Sequence, residues 1–258
     1  MKIIIILLKY IRMSFDNIYL DTREKWSQYS PNIITEKIQI EESIKFNNCE
    51  IQFNNCEIQL LNNYETQIIF EKLGTLECAL KYKDDNPVCL NFANPILPCW
   101  DIVDEYTQEE DLFRRTTLGN SLKHNLYPIH NDIIISKNIC VFKSGQMDGY
   151  YSLLDKLYFI NIISCSALMY PEVNNKDRYK NKEDYILTQN KISNILSHSN
   201  KISNTLITGA WGCGAFENPI TDICEIWNKE IEKCSLKKVI FAIPDTKTYD
   251  KFYEKMKI

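Results

Sequence analysis

From residue 66 to the end of the chain, short apolar runs alternate with segments of helical period, and that alternation admits one class of fold. Gln67–Glu71, Val88–Phe92, Phe159–Ile163, Leu206–Thr208 and Val239–Ile243 read as strands. Leu76–Tyr82, Gln108–Lys123, Glu183–Ser197 and Ile220–Ile231 read as helices. Ile133–Ile135 and Ile139–Phe142 flank Lys137-Asn138 and are expected to pair as a hairpin. The polar stretch Asn174–Asp184 is expected to be a surface loop running into a helix. Strands and helices in alternation give an α/β fold with helices on both faces of a mixed central sheet. Ligands of such sheets sit beyond the carboxyl ends of strands, so the loops after Phe92 and Thr208 are where function is expected.

Residues 1–65 form an N-terminal extension, expected to lie on or peripheral to a core of residues 66–258. The extension carries a tandem heptad, Phe-Asn-Asn-Cys-Glu-Ile-Gln at 46–52 and again at 53–59. Two copies are too few for a solenoid or a coiled-coil seam, which leaves a local duplication. The apolar run Ile3–Leu8 is far short of the about 20 residues that cross a bilayer. No small-residue cleavage site follows it, so it reads as a short buried strand or an extension ahead of Met13. The expectation is a cytoplasmic monomer, the nucleus left open, without membrane attachment.

Charge excludes one further class. Thirty Lys and Arg face 34 Asp and Glu, so no bulk phosphate-binding surface is expected and direct nucleic-acid binding is not anticipated. The 10 cysteines contain no Cys-x-x-Cys, and with only 3 histidines no metal site and no cofactor are expected. Cysteines scattered in this way read as reduced, buried apolar residues.

Glycine is scarce, at 7 of 258 residues, and three of the seven lie in Gly209-Ala-Trp-Gly212-Cys213-Gly214-Ala215-Phe216. The segment leaves a strand and enters a helix near Pro219. Two readings stand. Glycines there could leave backbone N–H groups open to an anion beside a helix N-terminus, or could simply permit a tight, closely packed turn. Neither a Walker A loop nor a Gly-x-Gly-x-x-Gly fingerprint with a later acid is present. Thr107-Gln108-Glu109-Glu110-Asp111 likewise has two readings. Thr107 and Glu110 have the spacing of a capping box, and acids favour a helix start. Adjacent carboxylates could instead divide the work of protonating a leaving oxygen and binding a sugar hydroxyl.

Together these segments resemble the microbial-type poly(ADP-ribose) glycohydrolases, a branch of the macrodomain superfamily. Leu90-Asn91-Phe92-Ala93-Asn94-Pro95 is similar to that family's strand end, Gln108-Glu109-Glu110 with Leu112, Arg114 and Arg115 to its acidic helix, and Gly209–Phe216 to its glycine signature. Weaker matches at Tyr127-Pro128, Val141-Phe142, Ile163-Ser164 with Ala167, and Val239–Ile243 follow in the family's order. The resemblance covers about residues 66–258 and implies a three-layer α/β/α macrodomain-like fold. It implies a hydrolase that cleaves ribose–ribose O-glycosidic bonds of poly(ADP-ribose) on modified proteins, without a metal. Glu110 would be the general acid and Glu109 its neighbour on the ribose. Asn94 would lie at the sugar; Gly212, Cys213, Gly214 and Ala215 would form the diphosphate loop; Phe216 would pack beside the distal ribose; Gln108 and Gly209 would also bind the ligand. The sequence departs from the family between Pro95 and Thr107, where three consecutive glycines are replaced by a stretch with none, including Cys99, Trp100, Asp101, Asp104 and Glu105. A glycine-free loop holds backbone farther from a ribose. The alternative it raises is a catalytically weakened module that binds ADP-ribose.

Overall fold

The computed structural model describes residues 18, 20–26, 28–29, 32–40, 65–98 and 107–256. The run at 3–8, the tandem heptads and the glycine-free positions 99–106 lie outside the described residues. The strands are β1 (Ile34–Gln39), β2 (Gln67–Glu71), β3 (Val88–Phe92), β4 (Asp132–Lys143), β5 (Leu153–Cys165), β6 (Thr205–Thr208) and β7 (Lys238–Ala242). The main helices are α1 (Thr75–Lys81), α2 (Gln108–Arg115), α3 (Lys182–Ile202), α4 (Ile220–Ile231) and α5 (Thr246–Met256). The strands form one sheet in the order β1-β4-β5-β3-β6-β7-β2. β5, β3, β6, β7 and β2 run parallel, while β4 is antiparallel to both β5 and β1.

Alternation along each strand builds two cores, one on each face. Val88, Leu90, Ile133, Ile135, Ile163, Leu206, Val239 and Phe241 pack beneath α3, α4 and α5. Cys89, Ile134, Ile160, Ile162, Ile207 and Ile240 pack on the other face with Leu76 of α1 and Leu112 and Phe113 of α2. Period-two side chains buried on both sides are what a covered parallel sheet requires. The result is the expected three-layer α/β/α arrangement with a mixed sheet.

The N-terminal segment shares this body. β1 adds the outer strand on β4, in register from Ile34↔Lys137 to Gln39↔Asp132. Trp26 lies over Gly119, and its indole N–H donates to the Thr116 carbonyl at 2.9 Å. The division at residue 65 is therefore one of sequence pattern and not of the sheet.

Three local expectations change. The hairpin expected around Lys137-Asn138 is a single strand, β4, with a bulge between Ser136 and Ile139. Asn138 takes a left-handed conformation (φ 60°) that absorbs the extra residue, and the chain continues instead of reversing. The helix expected over Gln108–Lys123 stops at Arg115 and resumes as one turn at Leu118–Ser121. Thr116 is drawn out of it into a bridge with Val141. The stretch from Asn174 is not merely a surface loop, because Tyr179 is buried there and donates its hydroxyl to Asn218, just after the glycine segment. Among the seven described cysteines, all are free and five are buried. No helix among the described residues is long and apolar enough to cross a membrane.

Candidate functional site

α2 starts at Thr107 with the reciprocal bonds of a capping box. Thr107 Oγ1 accepts from the Glu110 N–H at 3.3 Å, and Glu110 Oε2 accepts from the Thr107 N–H at 3.2 Å. The first two residues of α2 then tie it to the carboxyl end of β3. Gln108 Oε1 accepts from the Phe92 N–H (2.9 Å), while its Nε2 donates to the Leu90 carbonyl (2.8 Å) and to Thr75 Oγ1 (3.0 Å). Glu109 Oε1 accepts from Asn91 Nδ2 (2.9 Å), and Oε2 accepts from the Asn94 N–H (3.0 Å). With 1% of its surface exposed, Glu109 has one donor on each carboxylate oxygen. Such donors fix the plane of the group.

Glu110 is turned elsewhere. Besides the capping bond, its Oε2 lies 3.4 Å from the Arg114 guanidinium one turn on, and both side chains are buried. Arg115, also buried, joins Asp111 (2.8 Å) to Glu77 (2.5 Å). Burial pushes the Asp111 carboxyl up, against the opposing charge of Arg115.

A cleft of about 450 Å³ opens in front of these residues, at the carboxyl ends of the parallel strands. Asn94, Gln108, Glu109, Gly212, Gly214, Ala215 and Phe216 all line it. Gly209, Glu110 and Cys213 do not. Gly209 is held in the fold instead, since a Cβ there would lie 2.6 Å from the Ala242 carbonyl oxygen. The Cys213 thiol is directed at the Trp211 carbonyl (3.7 Å), and burial pushes its pKa up well above the ordinary thiol value. Asp111, part of the acidic helix start, also lines the cleft, as do Thr75 and the turn Ile243-Pro244-Asp245, which the sequence did not single out as site residues. Nothing in the local pattern of Thr75 or the turn marks them, because they belong to separate elements.

The glycine segment is a folded loop with internal bonds. Trp211 N–H donates to Gly209 O, Cys213 N–H to Ala210 O, Glu217 N–H to Gly214 O and Asn218 N–H to Gly212 O, all at 2.8–3.0 Å. The N–H groups of Gly212, Gly214, Ala215 and Phe216 donate to no acceptor among the described residues. Gly212 has a φ of 79°, and a Cβ there would meet Ala167 at 2.6 Å, so the turn itself requires this glycine. Gly214 is different. It lines the cleft, and a Cβ built on it meets nothing within 4 Å. The packing therefore requires glycine at 212 and leaves position 214 open to the cleft.

No protein-family model matches the sequence, and no curated protein is significantly similar to it. Solved structures are similar. Poly(ADP-ribose) glycohydrolase from Thermomonospora curvata, bound to the inhibitor ADP-HPD, superposes with a TM-score of 0.72 at 20% identity, covering 94% of this chain and 99% of that one. The same enzyme's structure reported without a named ligand gives 0.73 at 19% identity, with the same coverage. Poly(ADP-ribose) glycohydrolase from Deinococcus radiodurans in complex with ADP-ribose gives 0.64 at 20% identity, over 76% of this chain and 86% of that one. The chain has the poly(ADP-ribose) glycohydrolase fold. In that fold's terms the cleft lies where the acidic helix and the glycine loop face each other across the ends of β3 and β6. The sequence likeness was carried by the same two segments.

Proposed function

We propose that the protein is an ADP-ribosyl glycohydrolase acting on poly(ADP-ribose) attached to proteins. The observation that carries this is Gly214: a glycine the fold does not need, opposite Glu109 on the wall of one cleft. Backbone N–H groups without internal acceptors suit the oxygens of a diphosphate, and a residue with no Cβ lets those oxygens come close. Across the cleft, the paired acids at the start of α2 suit a ribose whose glycosidic bond is to be broken.

In this reading Glu109, held between Asn91 and Asn94, orients the sugar by accepting from a hydroxyl. Glu110, carrying a proton taken from solvent, protonates the departing ribose oxygen as the C1″–O bond breaks and positive charge develops at C1″; water then attacks that carbon and gives a proton back to the Glu110 carboxylate. To do so Glu110 exchanges its bonds to Thr107 and Arg114 for the substrate oxygen. Arg114 and the Thr107 N–H then serve as the resting partners of the acid. ADP-HPD and ADP-ribose are the ligands bound in two of the similar structures.

Two measurements test the proposal together. Calorimetry with ADP-ribose is expected to show one site per chain. Incubation with poly(ADP-ribosyl)ated protein is expected to release ADP-ribose. Absence of both overturns the proposal; binding without release leaves a binding module in place of an enzyme.

A further inference from the structure

The glycine loop is held from behind by one side chain. Asn218 is 4% exposed, and its Nδ2 lies 2.7 Å from the Leu168 carbonyl oxygen, 3.1 Å from that of Gly212 and 3.3 Å from that of Phe216. Its own N–H donates to Gly212 O at 2.9 Å. The amide therefore spans the loop, joining Gly212 at one end to Phe216 at the other, and anchors both to the chain that leaves β5. Its orientation is itself set. Oδ1 accepts from the Tyr179 hydroxyl at 2.7 Å, and that hydroxyl accepts from Thr188 Oγ1 of α3 at 3.2 Å. The three carbonyls can only accept, so they fix the nitrogen on their side, and the Tyr179 hydroxyl holds the oxygen on the other.

The backbone it holds is not a low-energy run. Gly212 has φ 79° and Glu217 φ 56°. A non-glycine residue at positive φ persists only where neighbours over-determine it. Phe216 O, the carbonyl preceding Glu217, receives both Asn218 Nδ2 and the Tyr170 N–H at 3.0 Å. The N–H groups left without acceptors sit between these two fixed points, at Gly212, Gly214, Ala215 and Phe216.

We infer that Asn218, oriented by Tyr179, is a positioning residue that sets the anion-binding conformation of the Gly212–Phe216 loop before ligand arrives. This rests on the reading of the cleft as an ADP-ribose site. It goes beyond that reading because Asn218 and Tyr179 do not line the cleft. Donors held in place cost nothing to order when the ligand binds, so losing the holder appears as lost affinity.

The experiment compares wild type, Asn218→Ala and Tyr179→Phe by ADP-ribose calorimetry, by turnover on poly(ADP-ribose) and by thermal melting. Asn218→Ala is expected to weaken ADP-ribose binding at least tenfold and to raise KM in proportion, with kcat falling far less, at temperatures where it is fully folded. Tyr179→Phe keeps the amide and removes only its orienting donor, so a smaller loss of affinity, about two- to fivefold, is expected. A folded Asn218→Ala protein with wild-type Kd overturns the inference, as does a loss confined to kcat. If Asn218→Ala does not fold, Tyr179→Phe decides alone: unchanged Kd and KM overturn it. A wild type that takes up no ADP-ribose removes the cleft's proposed function and this inference with it, and that outcome is recognisable because it needs no variant.

Discussion

Glu110→Gln separates the two roles that this residue's position allows. The capping box accepts glutamine at its third position as well as glutamate, so the bond to the Thr107 N–H survives the change. The carboxylate beside Arg114 is lost, and both side chains there are no more than 5% exposed. Removing one partner of a buried pair costs about 3–5 kcal/mol when the other charge is stranded. Here the separation is 3.4 Å, and Tyr151 also bonds Arg114, so about 1–3 kcal/mol is the expected loss. For a domain of this size that lowers Tm by about 2–4 °C per kcal/mol. A domain stable by about 5–15 kcal/mol remains folded at 25 °C. Turnover, by contrast, falls by about 10²–10⁴ if the general acid is gone. Thermal melts run beside release of ADP-ribose, with ADP-ribose affinity as the control, therefore read the two effects apart. Arg114→Met supplies the complementary case, since it breaks the same pair and leaves the carboxyl in place; it is expected to lose stability while retaining far more activity than Glu110→Gln. If Glu110→Gln loses activity only in proportion to its unfolded fraction, Glu110 is a helix cap and no more, and the assignment of the acid is wrong.

Gly214→Val places a branched side chain where the fold leaves 4 Å of open space, so Tm should change by only a few degrees while ADP-ribose affinity falls at least tenfold by calorimetry; unchanged affinity refutes the loop as the anion site. Cys213→Ala should retain turnover within about threefold, because a partly buried thiol whose pKa is pushed up is not a nucleophile at neutral pH, and a larger loss of activity in a release assay would contradict this. The Arg178 hydrogen bond holds the Glu225 carboxyl below the usual glutamate value of 4.5, and a group depressed in this way contributes stability that is present above that pH and lost as pH falls through the folded value. Melts of wild type and Glu225→Gln should therefore differ at pH 6 and converge as pH falls through the depressed folded value, and a difference that persists in stronger acid would show that the pairing is not the cause.

Much of the scaffold was legible in the order of residues. β2, β3 and α4 occupy the spans their patterns indicate, because a strand buried on both faces and an amphipathic helix each announce themselves by local period. The capping box was legible for the same reason: Thr107 and Glu110 meet across a single turn. The clustered glycines stood out against a glycine-poor background, yet composition could not say which of them the packing requires. That depended on what surrounds each one, with Ala242 behind Gly209, Ala167 and Asn218 against Gly212, and nothing against Gly214. Long-range partners were illegible on the same ground. Glu109 takes its donors from the end of β3, Asn218 reaches Leu168 across 50 residues, and Lys191 of α3 is buried on the carbonyls of His130 and Ser166. Which of two adjacent acids faces the cleft was settled by the pull of Arg114 on one and of Asn91 and Asn94 on the other. The bulge at Asn138 and the stop at Thr116 arose likewise from neighbours in the sheet, which override local preference once β4 and β5 are side by side. Sequence by itself determined the elements and the residue types at their ends, since those follow from interactions within a few positions. Only the tertiary structure decided which side chains meet, since that depends on which strand ends the sheet order brings together.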